Sequence, residues 1–70
     1  NTMTVARVTE IISSSSESFD DAVRQGVKRA SKTLKNVRGA WVEGQKIICD
    51  GQGHITEYRV ILKVSFVLEN

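Results

Sequence analysis

The sequence predicts an α+β fold with the order β-α-β-β, in which one helix packs on a three-stranded antiparallel sheet. Residues 56–68 carry the first observation, because apolar and aromatic side chains recur there at every second position, as in a strand with one buried face. Residues 19–37 carry the second, since their apolar side chains recur every three or four positions, as on one side of a helix. A single domain over residues 1–70 accounts for both.

The first strand is expected over residues 5–12. Ile11 and Ile12 are adjacent, which interrupts the alternation, so we expect one of them to face a neighbouring subunit. The four serines at residues 13–16 predict a turn.

The helix is predicted to begin after Ser18, a favourable N-cap, with Asp20 and Asp21 in its first turn. Its length is expected to be about five turns, with Gly39 as the residue that ends it. The predicted buried stripe consists of Phe19, Val23, Val27, Ala30, Leu34 and Val37.

The opposite side of the helix is basic, and its side chains are Arg24, Lys28, Lys32 and Lys35. Two interpretations stand: a patch for phosphate or nucleic acid, or a solvated face that complements the helix dipole. No aromatic residue lies between these cations, although a protein that binds single strands would need one.

The second strand is expected over residues 40–48, with Trp41, Glu43, Gln45 and Ile47 on one face. Residues 50–53 then predict a turn that leads into the third strand.

Small size makes self-association the expected source of stability. A chain of 70 residues buries a modest core. Cys49 is the one cysteine, so an internal disulfide is excluded, and Cys49 with His54 is too small a set for structural zinc. The net charge of +2 and the lack of a long apolar segment lead us to expect a soluble, cytoplasmic protein.

Catalytic groups are scarce in the sequence. Asp50 and His54 could meet across the predicted turn, but an exposed turn is a poor place to perturb their pKa values. Composition and spacing therefore indicate a binding or assembly module rather than an enzyme.

Short patterns in three parts of the chain resemble those of one known family. Ser15, Ser18 and Phe19 stand where that family has a Gly-Thr-Ser turn and a Ser-Phe helix start, with Ser13 in place of the glycine. Further similar positions are Ala22, Arg29, Ala30, Thr33, the pair Asn36-Val37, and the run from Tyr58 to Phe66. The family is the dodecins, and the resemblance covers nearly the whole chain.

The resemblance implies a hollow, roughly spherical homododecamer with helices outside and sheets lining the interior. In flavin-binding dodecins, a tryptophan at the start of the second strand stacks on the isoalloxazine ring, and a glutamine on the third strand hydrogen-bonds it. Gapless alignment places Gly39 at the tryptophan position, with Trp41 two residues later, and Arg59 at the glutamine position.

The resemblance therefore implies flavin storage, with FMN first and riboflavin or FAD next, and with Trp41, Arg59 and Gln45 as contacts. Trp41 either stacks on a ligand or packs between subunits. Arg59 either contacts a ligand or forms a subunit salt bridge with Glu43 or Glu57.

Two alternatives remain at this point. A dodecin-like shell could hold ions or another small ligand instead of flavin, with Glu43, Glu57 and Asp50 as possible oxygen ligands. A small nucleic-acid-binding module would use the basic side of the helix, and its affinity would fall steeply with salt.

Overall fold

The computed structural model describes residues 4–68. The elements follow the order β1 (Ala6–Ser15), α1 (Phe19–Thr33), β2 (Val37–Cys49) and β3 (Ile55–Val67). The strands form one antiparallel sheet in the order β1-β3-β2, so β3 pairs with both neighbours. The predicted β-α-β-β order and three-stranded antiparallel sheet are confirmed. No helix within residues 4–68 has both the length and the apolar character that crossing a bilayer requires.

The core lies between α1 and one face of the sheet, which we call the covered face. Val60, Leu62 and Val64 on β3 are fully buried there, against Ala22 and Ala30 of the helix. The alternation predicted for the third strand is thus confirmed. The intervening side chains of β3 point to the opposite face of the sheet, which we call the open face.

The serine run was expected to form a turn, and that prediction is wrong for Ser13 to Ser15, which belong to β1. The Ser13 hydroxyl donates to the Ala22 carbonyl at 2.7 Å, and the Ser15 hydroxyl donates to Asp21 Oδ2 at 2.6 Å. Small hydroxyl side chains allow this end of β1 to lie under the helix and supply hydrogen bonds to it.

The helix begins as predicted and ends earlier than predicted. The Ser18 hydroxyl accepts a hydrogen bond from the Asp21 N–H at 2.9 Å, which confirms it as the N-cap. The expected end at Gly39 is wrong, because Leu34 is already extended and Asn36 has a φ of 63°. Leu34 and Val37 still pack against the core, which explains why they continue the apolar spacing after the helix has ended.

Strand β2 contains irregularities that reverse the expected facing of some side chains. Its register with β3 passes from Val42, opposite Leu62, to Gly44, opposite Ile61, and so skips Glu43. One extra residue shifts the alternation by one position. The expectation that Trp41, Gln45 and Ile47 share a face is therefore wrong: Trp41 lies on the open face, and the other two belong to the covered face.

Candidate ligand site on the open face of the sheet

The open face carries exposed apolar side chains. Ile12 on β1 lies directly opposite Ile61 on β3 and is 66% exposed, and Val8 is exposed on the same strand. An apolar surface of this kind marks a site of association or ligand binding. Ile11 packs against the core, so Ile12 is the one of the two adjacent isoleucines that could face a neighbouring subunit, and that contact stays a prediction.

Trp41 is the largest side chain on this face. It lies opposite Lys63 in the register and is 61% exposed. Gly39 precedes it on the same face and contributes no side chain beside the indole, while Ser65 opposite Gly39 donates to the Gly39 carbonyl at 3.1 Å. Within the described part of the chain Trp41 stacks on no other ring, so the indole is accessible to a planar partner.

A charged pair stands beside the indole. Lys63 Nζ lies 3.4 Å from Glu43 Oε1, and both side chains are close to half exposed. Lys63 has Trp41 opposite it on β2 and Glu10 opposite it on β1. Lys63 was absent from the residues expected to form a site, because only the strand register shows that it faces Trp41.

Arg59 lies at the other end of the open face. Its Nη2 is 2.7 Å from Glu57 Oε1, and its Nε donates to Ser14 Oγ at 3.2 Å. The Ser14 hydroxyl first, and then the Arg59 guanidinium, hold the pKa of Glu57 below its ordinary value. Of the two acids expected as partners for Arg59, the structure brings Glu57 to it within one chain, whereas Glu43 pairs with Lys63.

Trp41 and Arg59 share the open face but do not meet within one chain. Arg59 lies four residues along β3 from Lys63, which corresponds to about 13 Å at the usual rise of a strand. Arg59 instead lines a cavity of about 450 Å³ together with Ile12, Lys46 and Ile61, and Gln45 also borders this cavity.

Gln45, the third expected contact, is separated from the indole by the sheet. Its register partner is Val60, which lies in the core, so the backbone of β2 places Gln45 on the covered face. There it lines a second cavity of about 380 Å³ with Phe19, Val23 and Val42. A role for Gln45 beside the same ligand as Trp41 would require a second subunit.

The acidic side chains considered as ion ligands are each engaged with a cation or a histidine. Asp50 Oδ2 lies 3.0 Å from His54 Nδ1 at the exposed hairpin tip, as the sequence suggested. The Gln52 N–H is the main cause that holds the pKa of Asp50 below its ordinary value; desolvation opposes it, and the His54 side chain adds to it. Within residues 4–68 no three His, Cys, Asp or Glu side chains converge as a metal site.

The basic side of α1 is exposed, as both interpretations of it require. Arg24, Lys28 and Lys32 are exposed, and the hydrogen bonds and ion pairs described above involve none of them. Arg24 also lines the cavity that contains Phe19, Val42 and Gln45. The choice between a solvated face and a phosphate-binding patch stays a prediction.

Comparison with known proteins decides the family. The family model described as Dodecin matches residues 5–69. The chain belongs to the dodecin family. It is 39% identical over 64 residues to a protein of Mycobacterium tuberculosis named calcium dodecin, a match that spans 91% of this chain and 89% of the relative. It is 33% identical over 66 residues to the dodecin of Thermus thermophilus, with 93% of each chain covered.

Solved dodecin structures have the same fold. The dodecin from Streptomyces davaonensis superposes with a TM-score of 0.92 at 35% identity, and the match covers 99% of this chain and 100% of that one. The expected dodecin fold is thus confirmed over almost the entire length. The names of these relatives refer to calcium in one case and to no ligand in the others, so they leave the ligand of this dodecin open.

Proposed function

We propose that this dodecin is a non-enzymatic flavin-binding protein that stores or sequesters FMN in a cytoplasmic, hollow homododecamer. Riboflavin and FAD are the next candidates. The observation that carries the proposal is the 61% exposed indole of Trp41 on an apolar sheet face that α1 leaves uncovered. A large aromatic side chain in such a position is well suited to stack on a planar ligand ring or to pack against a neighbouring subunit.

Self-association supplies the second half of the site. One chain offers a single indole, and its Arg59 lies too far along β3 to contact a ring stacked on that indole. Copies of the chain that bring their open faces together would place two indoles around the ligand and cover Ile12 and Ile61 at the same time. The small core of one chain favours this association independently.

Storage fits the chemistry of the open face better than turnover does. Near the indole, Glu43 and Lys63 form an ion pair, and the Ser65 hydroxyl donates its hydrogen bond to the Gly39 carbonyl. Binding and release of an intact ligand needs stacking and hydrogen bonds, which this surface provides.

A fluorescence titration of FMN with ligand-free protein tests the proposal. We expect strong quenching of flavin emission up to a stoichiometric endpoint, because close stacking on an indole opens a fast route for the excited flavin to relax. Trp41→Ala should abolish the quenching, and Trp41→Phe should retain part of it. Ile47→Ala is the matched control, since Ile47 is a large exposed residue of β2 on the covered face.

Unchanged flavin emission in the presence of micromolar wild-type protein would exclude the flavin function. Quenching by Trp41→Ala that equals the quenching by wild type would instead exclude Trp41 as the stacking platform. Light scattering at matched protein concentration must show that the variants keep the wild-type mass, so that loss of binding is not loss of assembly.

Calcium is the second candidate, and the relative named calcium dodecin favours it. Glu10, Glu43 and Glu57 lie on the open face, and copies related by symmetry could bring such carboxylates together. Calorimetric titration of chelator-treated protein with calcium would then show saturable heat that Glu57→Gln removes. Absence of heat in the wild-type protein would exclude this candidate.

A further inference from the structure

Glu43 lies on the same side of β2 as Trp41, two residues further along the strand, as regular alternation requires. The register skip changes the facing only of the residues that follow Glu43, such as Gln45. The Glu43 carboxylate reaches Lys63 Nζ at 3.4 Å. The result is an acceptor and a donor side by side, next to an accessible indole.

We propose that Glu43 and Lys63 together form the polar edge that recognises the pyrimidine ring of a flavin stacked on Trp41. Lys63 donates to a ring carbonyl, and Glu43 accepts from the ring N3–H. This inference rests on the proposed flavin function and adds to it the residues that select the ring.

The positions of the three residues support a joint contact. Lys63 is directly opposite Trp41, and side chains opposite each other on neighbouring antiparallel strands have Cβ atoms about 4.5–5.5 Å apart. Glu43 is two residues from Trp41 and within ion-pair distance of Lys63. A ring lying on the indole would therefore have its edge within reach of both charged groups.

The chemistry of the ring edge requires both a donor and an acceptor. The pyrimidine edge of isoalloxazine presents one N–H donor between two carbonyl acceptors, so a matching surface must accept one hydrogen bond and donate at least one. Arg59 has donors alone and is held by Glu57. Gln45 has both kinds of group but lies on the covered face. The Glu43–Lys63 pair has both and lies beside the indole.

The pair is also weak enough to open for a ligand. Its separation of 3.4 Å is longer than a good charge-assisted hydrogen bond, and both side chains are close to half exposed. Exposed ion pairs contribute little to stability, so exchanging part of this contact for contacts to a ligand costs little. Hydrogen bonds from charged groups to a ring shielded by stacking are stronger than those exposed to water.

Two ring analogues test the inference without any contribution from the ribityl chain or phosphate. Lumiflavin keeps the N3–H, and 3-methyllumiflavin replaces it with a methyl group. Wild-type protein is expected to bind lumiflavin at least about 10-fold more tightly than the methylated ring, which is the lower end of the range for a hydrogen bond to a charged group. Glu43→Ala should remove this preference by weakening lumiflavin binding, and Glu43→Gln, which keeps an acceptor oxygen, should restore part of it.

Lys63→Met should weaken both rings to a similar degree, because the carbonyls are present in both. Glu17→Ala is the control for a change of charge, since Glu17 is an exposed acid in the turn before α1, away from the open face. It should keep the wild-type preference for lumiflavin. Light scattering is needed for each variant, as for those of Trp41.

The outcomes separate this inference from the function on which it rests. If Trp41→Ala abolishes lumiflavin binding but wild type and Glu43→Ala show the same preference between the two rings, the flavin function stands and the role of Glu43 is overturned. If Lys63→Met leaves both affinities unchanged, the role of Lys63 is overturned. If wild-type protein binds neither ring, the flavin function and the inference both fail.

Discussion

Gly26 of α1 lies in direct contact with Leu62 of β3. A methyl group built on Gly26 would be 2.9 Å from Leu62 Cδ1 and 2.9 Å from Ser13 Cβ. Leu62 is fully buried, and Ser13 is held by its hydrogen bond to the Ala22 carbonyl, so neither can move aside freely. The absence of a side chain at residue 26 sets how closely the helix approaches the sheet.

Gly26→Ala is therefore expected to destabilise the fold although alanine is the better helix former. Overpacking of a core costs about 1–3 kcal/mol, and the gain in helix propensity is about 1 kcal/mol, so we expect a net loss of up to about 2 kcal/mol. Urea unfolding at fixed protein concentration measures the change. Gln25→Ala, at the exposed neighbouring position, should leave the midpoint almost unchanged, and an equal effect of both variants would contradict the packing argument.

Ser15→Ala should also destabilise the protein. The Ser15 hydroxyl is buried, donates to Asp21 Oδ2 at 2.6 Å and accepts from the Glu17 N–H at 2.9 Å. Its loss leaves these groups without their partner, which costs about 1–3 kcal/mol. Ser16→Ala is the control in the same serine run, because Ser16 is exposed. Thermal unfolding that shifts equally for both variants would rule out a special role for Ser15.

Ile12→Glu should reduce the mass of the assembly while the chain keeps its secondary structure. Ile12 is exposed on the open face opposite Ile61, so a charge there does not enter the core of the chain but would be buried where open faces meet. Native mass spectrometry measures the subunit number, and circular dichroism measures the fold. Lys28→Glu on the outer side of α1 should keep the wild-type mass. A full-size assembly of Ile12→Glu would show that this part of the open face is not an interface.

The hairpin tip should make a small, pH-dependent contribution to stability through Asp50. Hydrogen bonds, first from the Gln52 N–H, hold its folded-state pKa below the ordinary value of 3.8, so folding favours the ionised carboxylate. This contribution is complete above pH 3.8 and is lost as the pH falls through the lower pKa of the folded state.

Asp50→Asn keeps an acceptor oxygen for the turn but cannot ionise. The difference in unfolding midpoint between wild type and Asp50→Asn should therefore be larger at pH 6 than at the acid end of the titration. Urea unfolding across this pH range measures it. A difference that stays constant or grows on acidification would show that ionised Asp50 does not support the hairpin.

The sequence was sufficient for the elements whose side chains repeat regularly. The alternation along residues 56–68 predicts the buried face of β3, because each side chain there obeys a single period. Ser18 with the two aspartates after it predicts the helix start, because capping is a local interaction. Membership of the dodecin family could also be recognised from the sequence, since the family's patterns extend over most of the chain.

The sequence was insufficient where contacts between distant segments decide the outcome. Leu34 and Val37 continue the helical spacing, yet they reach the core from extended backbone after the helix has ended. The register skip at Glu43 reverses the facing of Gln45, and its local signal is Gly44 alone, since a glycine within a strand often marks a bulge. Lys63 became a candidate only when the pairing of β2 with β3 placed it opposite Trp41. Contacts between copies of the chain could not be predicted from the sequence either, because they depend on which surfaces the folded chain leaves exposed.

The two faces of β3 make separate sets of contacts. Val60, Leu62 and Val64 hold α1, while the residues between them, Ile61 and Lys63, point to the open face. A lineage can therefore exchange the open-face residues, and with them its ligand, without rebuilding the interior. A scan of all substitutions along this strand should therefore give two alternating patterns. Protein abundance should fall mainly for substitutions at the buried positions, and ligand binding should fall mainly for substitutions at the open-face positions between them.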